Sequence, residues 1–209
     1  MAKQRLPEVL EEDELERFLA AAAASGPRDG ALTMVMAYGG LRVAEACRLR
    51  WEDVPERAQS RAALHVRQGK GGKDRMVPVH PRLAASLEAW RSFDVAQDGA
   101  AGTASPLRKT GLLRSPDEGG WVFPGRRRGK QLTTRQAEYI VEQLGRAAGL
   151  ARSKAHPHAL RHTVATRLLR ATGNLELVKT FLGHASVATT QIYTHLVVDD
   201  VAAGLDKLT

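Results

Sequence analysis

The chain has 209 residues, of which 43% are hydrophobic and 26% are charged. This composition is typical of one folded domain with a hydrophobic core and excludes a largely disordered chain. No apolar run reaches the roughly 18 residues of a membrane span, and residues 1–8 lack the apolar stretch of a signal peptide. The single cysteine, Cys47, excludes an internal disulfide, so we expect a cytoplasmic protein with no membrane partner. The formal net charge of +8 makes nucleic acid the first candidate partner, against the alternative of an arginine-rich chain without a polyanionic ligand.

The first third of the chain predicts three helices. Residues 9–25 combine early acidic side chains with apolar residues at helical spacing, and Gly26-Pro27 ends this helix. The second helix, over residues 30–38, is apolar on almost all sides and is therefore expected to be buried. A Gly-Gly pair ends it, and a third helix begins near Leu41.

A β-hairpin follows. Residues 63–67 and 75–79 alternate apolar and polar side chains, and the glycine-rich stretch 68–74 between them predicts the turn. Pro78 lacks an N–H group, so its strand is expected to lie at an edge or to end there.

The rest of the chain predicts further helices, with Thr133 or Thr134 as one N-cap and Gly183 as one C-terminal glycine. These helices are predicted over residues 81–90, over 134–148, from Pro157 onward, over 175–182, around Tyr193 and over 197–208. Residues 94–120 are rich in Ala, Gly, Ser and Pro and predict a long exposed loop inserted in the domain. The expected fold class is mainly α with a small antiparallel β-sheet, in one domain over residues 1–209.

Patterns that point to other chemistry can be rejected. Residues 69–73 resemble a phosphate-binding loop, but Asp74 stands where that loop needs a hydroxyl, and the turn joins two strands. His158 and His162 are four residues apart, as in zinc proteases, but Ala159 replaces the required glutamate. No carboxylates cluster as a two-metal nuclease requires. We therefore predict no metal and no small-molecule cofactor.

The remaining candidates are cationic side chains and one tyrosine. Arg42 follows a Gly-Gly pair at a helix start, and Lys70 lies at the hairpin tip. His158 and Arg161 share a helix face near an N-terminus, which favours an anion. Each has an ordinary structural interpretation when taken singly: a turn lysine is usually solvated, and Arg42 can pair with Glu45 at i+3.

Taken together, four short motifs resemble those of the tyrosine recombinases, in family order. They are Gly40-Leu41-Arg42-Val43-Ala44-Glu45, Gly69-Lys70-Gly71-Gly72-Lys73-Asp74-Arg75 followed by Val77-Pro78, His158-Ala159-Leu160-Arg161-His162-Thr163, and Leu182-Gly183-His184-Ala185 with Thr189-Thr190-Gln191-Ile192-Tyr193-Thr194-His195. The resemblance runs from about Leu6 to Leu196 and is closest to the Xer-type and phage-type integrase branch. Each motif is short, so the specificity of the signal comes from their combination and order.

The resemblance implies six catalytic residues: Arg42, Lys70, His158, Arg161, His184 and Tyr193. The tyrosine would be the nucleophile, and the two arginines would hold the non-bridging oxygens of the scissile phosphate. His158 would act as general acid/base, and His184 would donate a further hydrogen bond to the phosphate. Lys70 would protonate the departing 5′ oxygen, and Glu45 would orient the region of the first arginine.

These residue types suit attack on a phosphodiester. Guanidinium groups match phosphate oxygens with paired hydrogen bonds, and one well-placed donor is typically worth about 3 kcal/mol in the transition state. The phenol has an ordinary pKa of about 10, so it must lose its proton to a nearby base while the 5′ oxygen gains one. The 3′-phosphotyrosine bond conserves the phosphodiester energy, so site-specific cleavage and rejoining of double-stranded DNA needs neither metal nor ATP.

The resemblance further implies a homo-tetramer on two paired DNA sites. We expect the family's N-terminal DNA-binding domain to be absent, and Lys73 is the alternative to Lys70 because the stretch before the hairpin is longer than usual. Three alternatives remain: a type IB topoisomerase-like nicking-closing enzyme, an integrase-derived DNA-binding protein without catalysis, and, more distantly, a metal-dependent nuclease. The basic run 126–130 is either a DNA contact or a solvated loop, and His162 and His195 are expected to be structural.

Overall fold

The described part of the chain is mainly helical with one small antiparallel sheet, which confirms the predicted fold class. The computed structural model describes residues 8–55, 62–67, 74–99, 120–125 and 129–183, with 94–99 described by their backbone only. The helices are α1 (Glu12–Ser25), α2 (Pro27–Ala37), α3 (Val43–Cys47), α4 (Pro81–Gly99), α5 (Thr134–Ala147), α6 (Pro157–Thr172) and α7 (Leu175–Leu182), with a 3-10 turn at Trp51–Asp53. The strands are β1 (Ala63–Val66) and β2 (Arg75–Pro78).

The first two helices follow the local signals of the sequence. In α1 the buried residues Leu15, Phe18, Leu19 and Ala22 recur at helical spacing, and the acidic first turn favours the positive end of the helix dipole. The helix ends at Gly26, whose φ of 131° is open to glycine alone among common residues. The next residue is the first of α2, where a proline is tolerated, and α2 is buried over its last eight residues as predicted.

The hairpin has the predicted strands. Leu64 pairs with Val77 in the antiparallel register, and both side chains are buried, as is Val66. The second strand ends at Pro78, which agrees with the expectation that this residue terminates or borders the sheet. The glycine-rich turn, residues 68–73, lies outside the described residues.

The predicted loop over residues 94–120 is wrong at its start, because α4 continues to Gly99 rather than ending at Trp90. Residues 94–98 contain no glycine or proline, so nothing in them interrupts the helix, whereas the loop-like composition belongs to the residues after Gly99. Residues 100–119 lie outside the described part. Neither α4 nor any other helix in the described ranges is long and apolar enough to cross a membrane.

The last three helices are bounded by polar caps and glycines. The side chains of Thr133, His156 and Asn174 each accept a hydrogen bond from a backbone N–H in the first turn of α5, α6 and α7 respectively. Gly173 and Gly183 end α6 and α7 in the left-handed conformation, with φ of 62° and 64°. The predictions of Thr133 as an N-cap and Gly183 as a helix end are both confirmed.

The hydrophobic core is organised around α2, against which α1, α4 and α6 pack. Large side chains such as Phe18, Leu32, Phe123 and Leu160 are fully buried in it. A smaller cluster joins α6 to α7 through Ala165, Leu169, Val178 and Leu182. This packing brings the turn after α2 against α6 and the end of α7, where the functional residues lie.

The packing between α5 and the loop before α6 allows a sharp test of the fold. A Cβ added to Gly145 of α5 would overlap the Cβ of Ala155, whereas a Cβ added to Gly30 of α2 would find its nearest neighbours at an ordinary 3.8 Å. We expect Gly145→Ala to lower the free energy of unfolding by about 1–3 kcal/mol through overpacking. The matched control, Gly30→Ala, should raise it by about 0.5–1 kcal/mol through helix propensity. Urea denaturation measures both, and equal stability of the two variants would contradict this packing.

Candidate active site

Four parts of the fold meet around the carboxylate of Glu45. They are the turn after α2, the first residue of β2, the first two turns of α6 and the end of α7. Gly40 makes this close approach possible. Its φ is 61°, and a Cβ there would lie 2.8 Å from Cε1 of Phe181 and 3.3 Å from Cγ1 of Val164. Only glycine satisfies both the backbone conformation and the packing at this position, which explains the second glycine of the Gly39-Gly40 pair.

Arg42 and Glu45 form a local pair at the start of α3. The backbone N–H of Arg42 donates to Oε2 of Glu45 at 2.8 Å, and its Nη1 donates to Oε1 at 2.8 Å. The glutamate is the third helical residue, so its side chain can reach back to the residue that precedes the helix. The Arg42 side chain is 22% exposed while that of Glu45 is 2% exposed, so a ligand can still reach the guanidinium. These contacts agree with the predicted orienting role of the glutamate.

Arg161 is held by backbone carbonyls from two other elements. Its Nη1 donates to the carbonyl of Gly40, and its Nη2 donates to the carbonyl of Leu182 at 2.6 Å. Nη1 also lies 3.9 Å from Oε2 of Glu45, and the side chain is only 5% exposed. The guanidinium therefore has a fixed position at the junction of the turn after α2, α6 and α7.

Arg75 is a member of this cluster to which the motif reasoning gave no role, although the lysine-hairpin motif includes it. Its Nη1 and Nη2 donate to the two oxygens of Glu45 at 3.0 and 2.8 Å, and its Nε donates to the carbonyl of Phe181 at 3.3 Å. Strand alternation could have indicated it, because Arg75 lies on the same face as the buried Val77. An arginine on the inward face of a strand requires a buried acidic partner.

The electrostatics of this cluster favour an ionised Glu45. Burial by itself would raise the pKa of the carboxyl, but the hydrogen bonds and charge of Arg75, followed by the donors of Arg42, lower it to about 2. One carboxylate therefore faces the guanidinium groups of Arg42, Arg75 and Arg161. The cluster retains excess positive charge, which suits a phosphate ligand.

His158 lies in the first turn of α6, one turn before Arg161. Removal from water lowers the pKa of its imidazole, and the charges of His156, Arg161 and Arg42 lower it further. The charges of both predicted arginines therefore act on His158, and together with burial they favour the neutral imidazole, which can accept a proton. His162, half-buried one turn further on, has its pKa lowered to about 4, mainly by burial, which suits a structural role better than proton transfer near neutral pH.

The structure thus brings together Arg42, His158 and Arg161, which are three of the six predicted catalytic residues. The other predicted groups lie outside the described residues: Lys70 with its alternative Lys73, His184, Tyr193, His195 and residues 126–128 of the basic run. Within the described ranges, no three His, Cys, Asp or Glu side chains are grouped as a metal site requires. The described residues can bind a tetrahedral oxyanion, such as a phosphate group, beside a neutral imidazole.

Comparison with known proteins gives the family of the chain. Residues 8–199 match the family model described as Phage integrase family, and the chain belongs to that family. Among curated proteins, tyrosine recombinase XerD of Caulobacter vibrioides is 36% identical over 206 residues, which cover 96% of this chain and 61% of that protein. Tyrosine recombinase XerC of Xanthomonas campestris pv. campestris is 37% identical over 197 residues, covering 93% of this chain and 53% of that protein.

Solved structures give the same result for the fold. The crystal structure of XerA recombinase superposes with a TM-score of 0.72 at 35% identity, covering 92% of this chain and 62% of that one. A post-cleavage complex of XerH site-specific recombinase with palindromic difH substrate superposes with a TM-score of 0.73 at 27% identity, covering 95% of this chain and 53% of that one. The chain therefore spans between about half and two thirds of the length of the relatives it matches.

Proposed function

We propose that this chain is the catalytic domain of a site-specific DNA recombinase, which cleaves and rejoins strands through a transient 3′-phosphotyrosine at Tyr193. The observation that carries the proposal is the convergence of Arg42 and Arg161 on one buried carboxylate, at 2.8 and 3.9 Å. Two guanidinium groups held this close can bind both non-bridging oxygens of one phosphate. The proposal is also supported by relatives named tyrosine recombinases that match at least 93% of this chain.

In the proposed reaction, the phenol oxygen of Tyr193 attacks the scissile phosphorus, and the bond from phosphorus to the 5′ oxygen breaks. The neutral imidazole of His158 accepts the phenol proton, and Lys70 gives a proton to the departing 5′ oxygen. Arg42 and Arg161 stabilise the negative charge that grows on the equatorial oxygens. Rejoining reverses these steps with the 5′ hydroxyl of another strand and needs no external energy source, because the phosphotyrosine conserves the energy of the bond.

The remaining donor and the partners follow from the same proposal. His184, the residue after Gly183, is the proposed additional hydrogen-bond donor to the phosphate. Double-stranded DNA is the proposed substrate, for which the net charge of +8 is suitable. A homo-tetramer on two DNA sites is the proposed working assembly, since strand exchange needs four cleavage events. We expect the reaction to take place in the cytoplasm.

A covalent trapping experiment tests this function. Duplexes that bind the protein are first isolated from a randomised DNA pool, and their sequence is rebuilt as a nicked suicide substrate, from which a short fragment is lost after cleavage. We expect the wild-type protein, in excess EDTA, to form a covalent protein–DNA complex that survives denaturing electrophoresis. Tyr193→Phe should form no such complex, because the nucleophile is absent, while its affinity for the same DNA stays unchanged.

The alternatives give different results in the same experiment. A DNA-binding protein without catalysis binds the DNA equally as wild type and as Tyr193→Phe, and neither forms a covalent complex. A nicking-closing enzyme relaxes supercoiled plasmid but does not exchange strands between two copies of the selected site. A metal-dependent nuclease loses its activity in EDTA.

A further inference from the structure

Arg75 links three parts of the site that are distant in the sequence. From the first position of β2 it binds both oxygens of Glu45 and the carbonyl of Phe181 near the end of α7. Its aliphatic stem lies against the turn that ends α7, because a Cβ added to Gly183 would come within 2.8 Å of Cδ of Arg75. The side chain is 10% exposed, so it is part of the interior support of the site rather than of its surface.

The hydrogen bonds of Glu45 indicate what Arg75 contributes to the site. Oε1 accepts hydrogen bonds from Nη1 of Arg42 and Nη1 of Arg75, and Oε2 accepts from the backbone N–H of Arg42 and Nη2 of Arg75. Arg161 stays 3.9 Å from the same carboxylate and bonds to backbone carbonyls instead. Without Arg75, the carboxylate would lose two charged donors, and Arg161, at 3.9 Å, is a cation among the described residues that could replace them.

We propose that Arg75 is a positioning residue for DNA cleavage. Its hydrogen bonds to Glu45 and its packing against the turn at Gly183 keep Arg42 and Arg161 at the separation that a phosphate needs. This inference rests on the proposed function. If Glu45 drew Arg161 toward itself, that guanidinium would turn from the phosphate toward the carboxylate. A displacement of about 1 Å in such a group can reduce the rate by about 100-fold.

The test is single-turnover cleavage of the nicked substrate described above, at saturating protein. We expect Arg75→Gln to lower the rate of covalent complex formation by about 100-fold, with the affinity for DNA unchanged. Arg75→Lys should recover part of this loss, because it restores a charge beside Glu45 but not the paired hydrogen bonds. The matched control is Arg82→Gln, which removes another bidentate arginine–glutamate pair, with Glu16, at an exposed position away from the site. Its rate should equal that of the wild type.

A double-variant measurement separates positioning from simple loss of stability. If Arg75 acts through Glu45, the rate loss of Glu45→Gln combined with Arg75→Gln should be much smaller than the product of the two single losses. Independent, multiplicative losses would overturn the inference, as would a wild-type cleavage rate in a folded Arg75→Gln protein. If that variant does not fold, a wild-type cleavage rate in Arg75→Lys overturns the inference equally. Absence of covalent complex from the wild-type protein would instead refute the proposed function itself.

Discussion

Replacing Arg161 by lysine is expected to lower the rate of DNA cleavage by about 100- to 1000-fold, the usual effect of removing one preorganised transition-state donor. The guanidinium of Arg161 donates to the carbonyls of Gly40 and Leu182, and the side chain is only 5% exposed. A lysine carries the same charge on a compact ammonium group and cannot make both of these bonds and still present a fork to a phosphate. The loss should therefore affect the cleavage rate far more than the affinity for DNA.

Arg167→Lys is the matched control for this prediction. Arg167 lies on the same helix, its side chain is 37% exposed, and it pairs with Glu12 at 3.1 Å. Its replacement should leave the cleavage rate unchanged, since exposed ion pairs contribute little. Single-turnover rates on the trapped substrate give the comparison. A similar rate for the wild-type, Arg161→Lys and Arg167→Lys proteins would mean that Arg161 does not bind the scissile phosphate.

Replacing Glu45 by glutamine is expected to lower the free energy of unfolding at pH 7 by about 3 kcal/mol. The carboxylate is 2% exposed and faces Arg42, Arg75 and Arg161, so its loss leaves buried positive charge without its counter-charge. The pKa of Glu45 falls from an ordinary 4.5 to about 2 in the folded protein. A depressed carboxyl pKa stabilises the fold fully above the ordinary value, and this stabilisation is lost as pH falls through the folded value.

The difference in stability between wild type and Glu45→Gln should therefore depend on pH. This difference in the free energy of unfolding should be constant above about pH 4.5 and should fall to roughly half of that value by about pH 3. Urea denaturation of both proteins at a series of pH values measures it, with Glu16→Gln as control. Glu16 is half-exposed and pairs with Arg82, so its replacement should cost less than about 1 kcal/mol. A Glu45→Gln protein as stable as the wild type at pH 7 would contradict the structure of this cluster.

Local signals in the sequence predicted most of the described fold. The Gly26-Pro27 pair, the cap at Thr133 and the glycine at position 183 each act within one or two turns of a helix, so the sequence around them is sufficient. The predicted end of α4 was wrong for the opposite reason. The loop-like composition of residues 94–120 as a whole was applied to the first residues of that segment, although these continue the helix to Gly99.

The candidate site was predictable only where its contacts are local or belong to a motif. The pairing of Arg42 with Glu45 follows from their i+3 spacing, and the face shared by His158 and Arg161 follows from theirs. Arg75 reaches Glu45 across 30 residues of sequence, and such a contact is decided by how the hairpin docks on α3 and α7. Strand alternation indicates that Arg75 faces inward, but short-range patterns carry no information on that docking, so the identity of its partner became clear only from the three-dimensional arrangement.

The central claim, a covalent link between DNA and Tyr193, is tested most directly by mass spectrometry of the trapped complex. Trypsin cuts after Lys179 and Lys207, so the peptide from Thr180 to Lys207 contains Tyr193 and no other tyrosine. We predict that nuclease and trypsin digestion leaves a nucleotide attached through a 3′ phosphate to this tyrosine, and that Tyr193→Phe yields only the unmodified peptide. DNA attached to a different residue, or through a 5′ phosphate, would contradict the account.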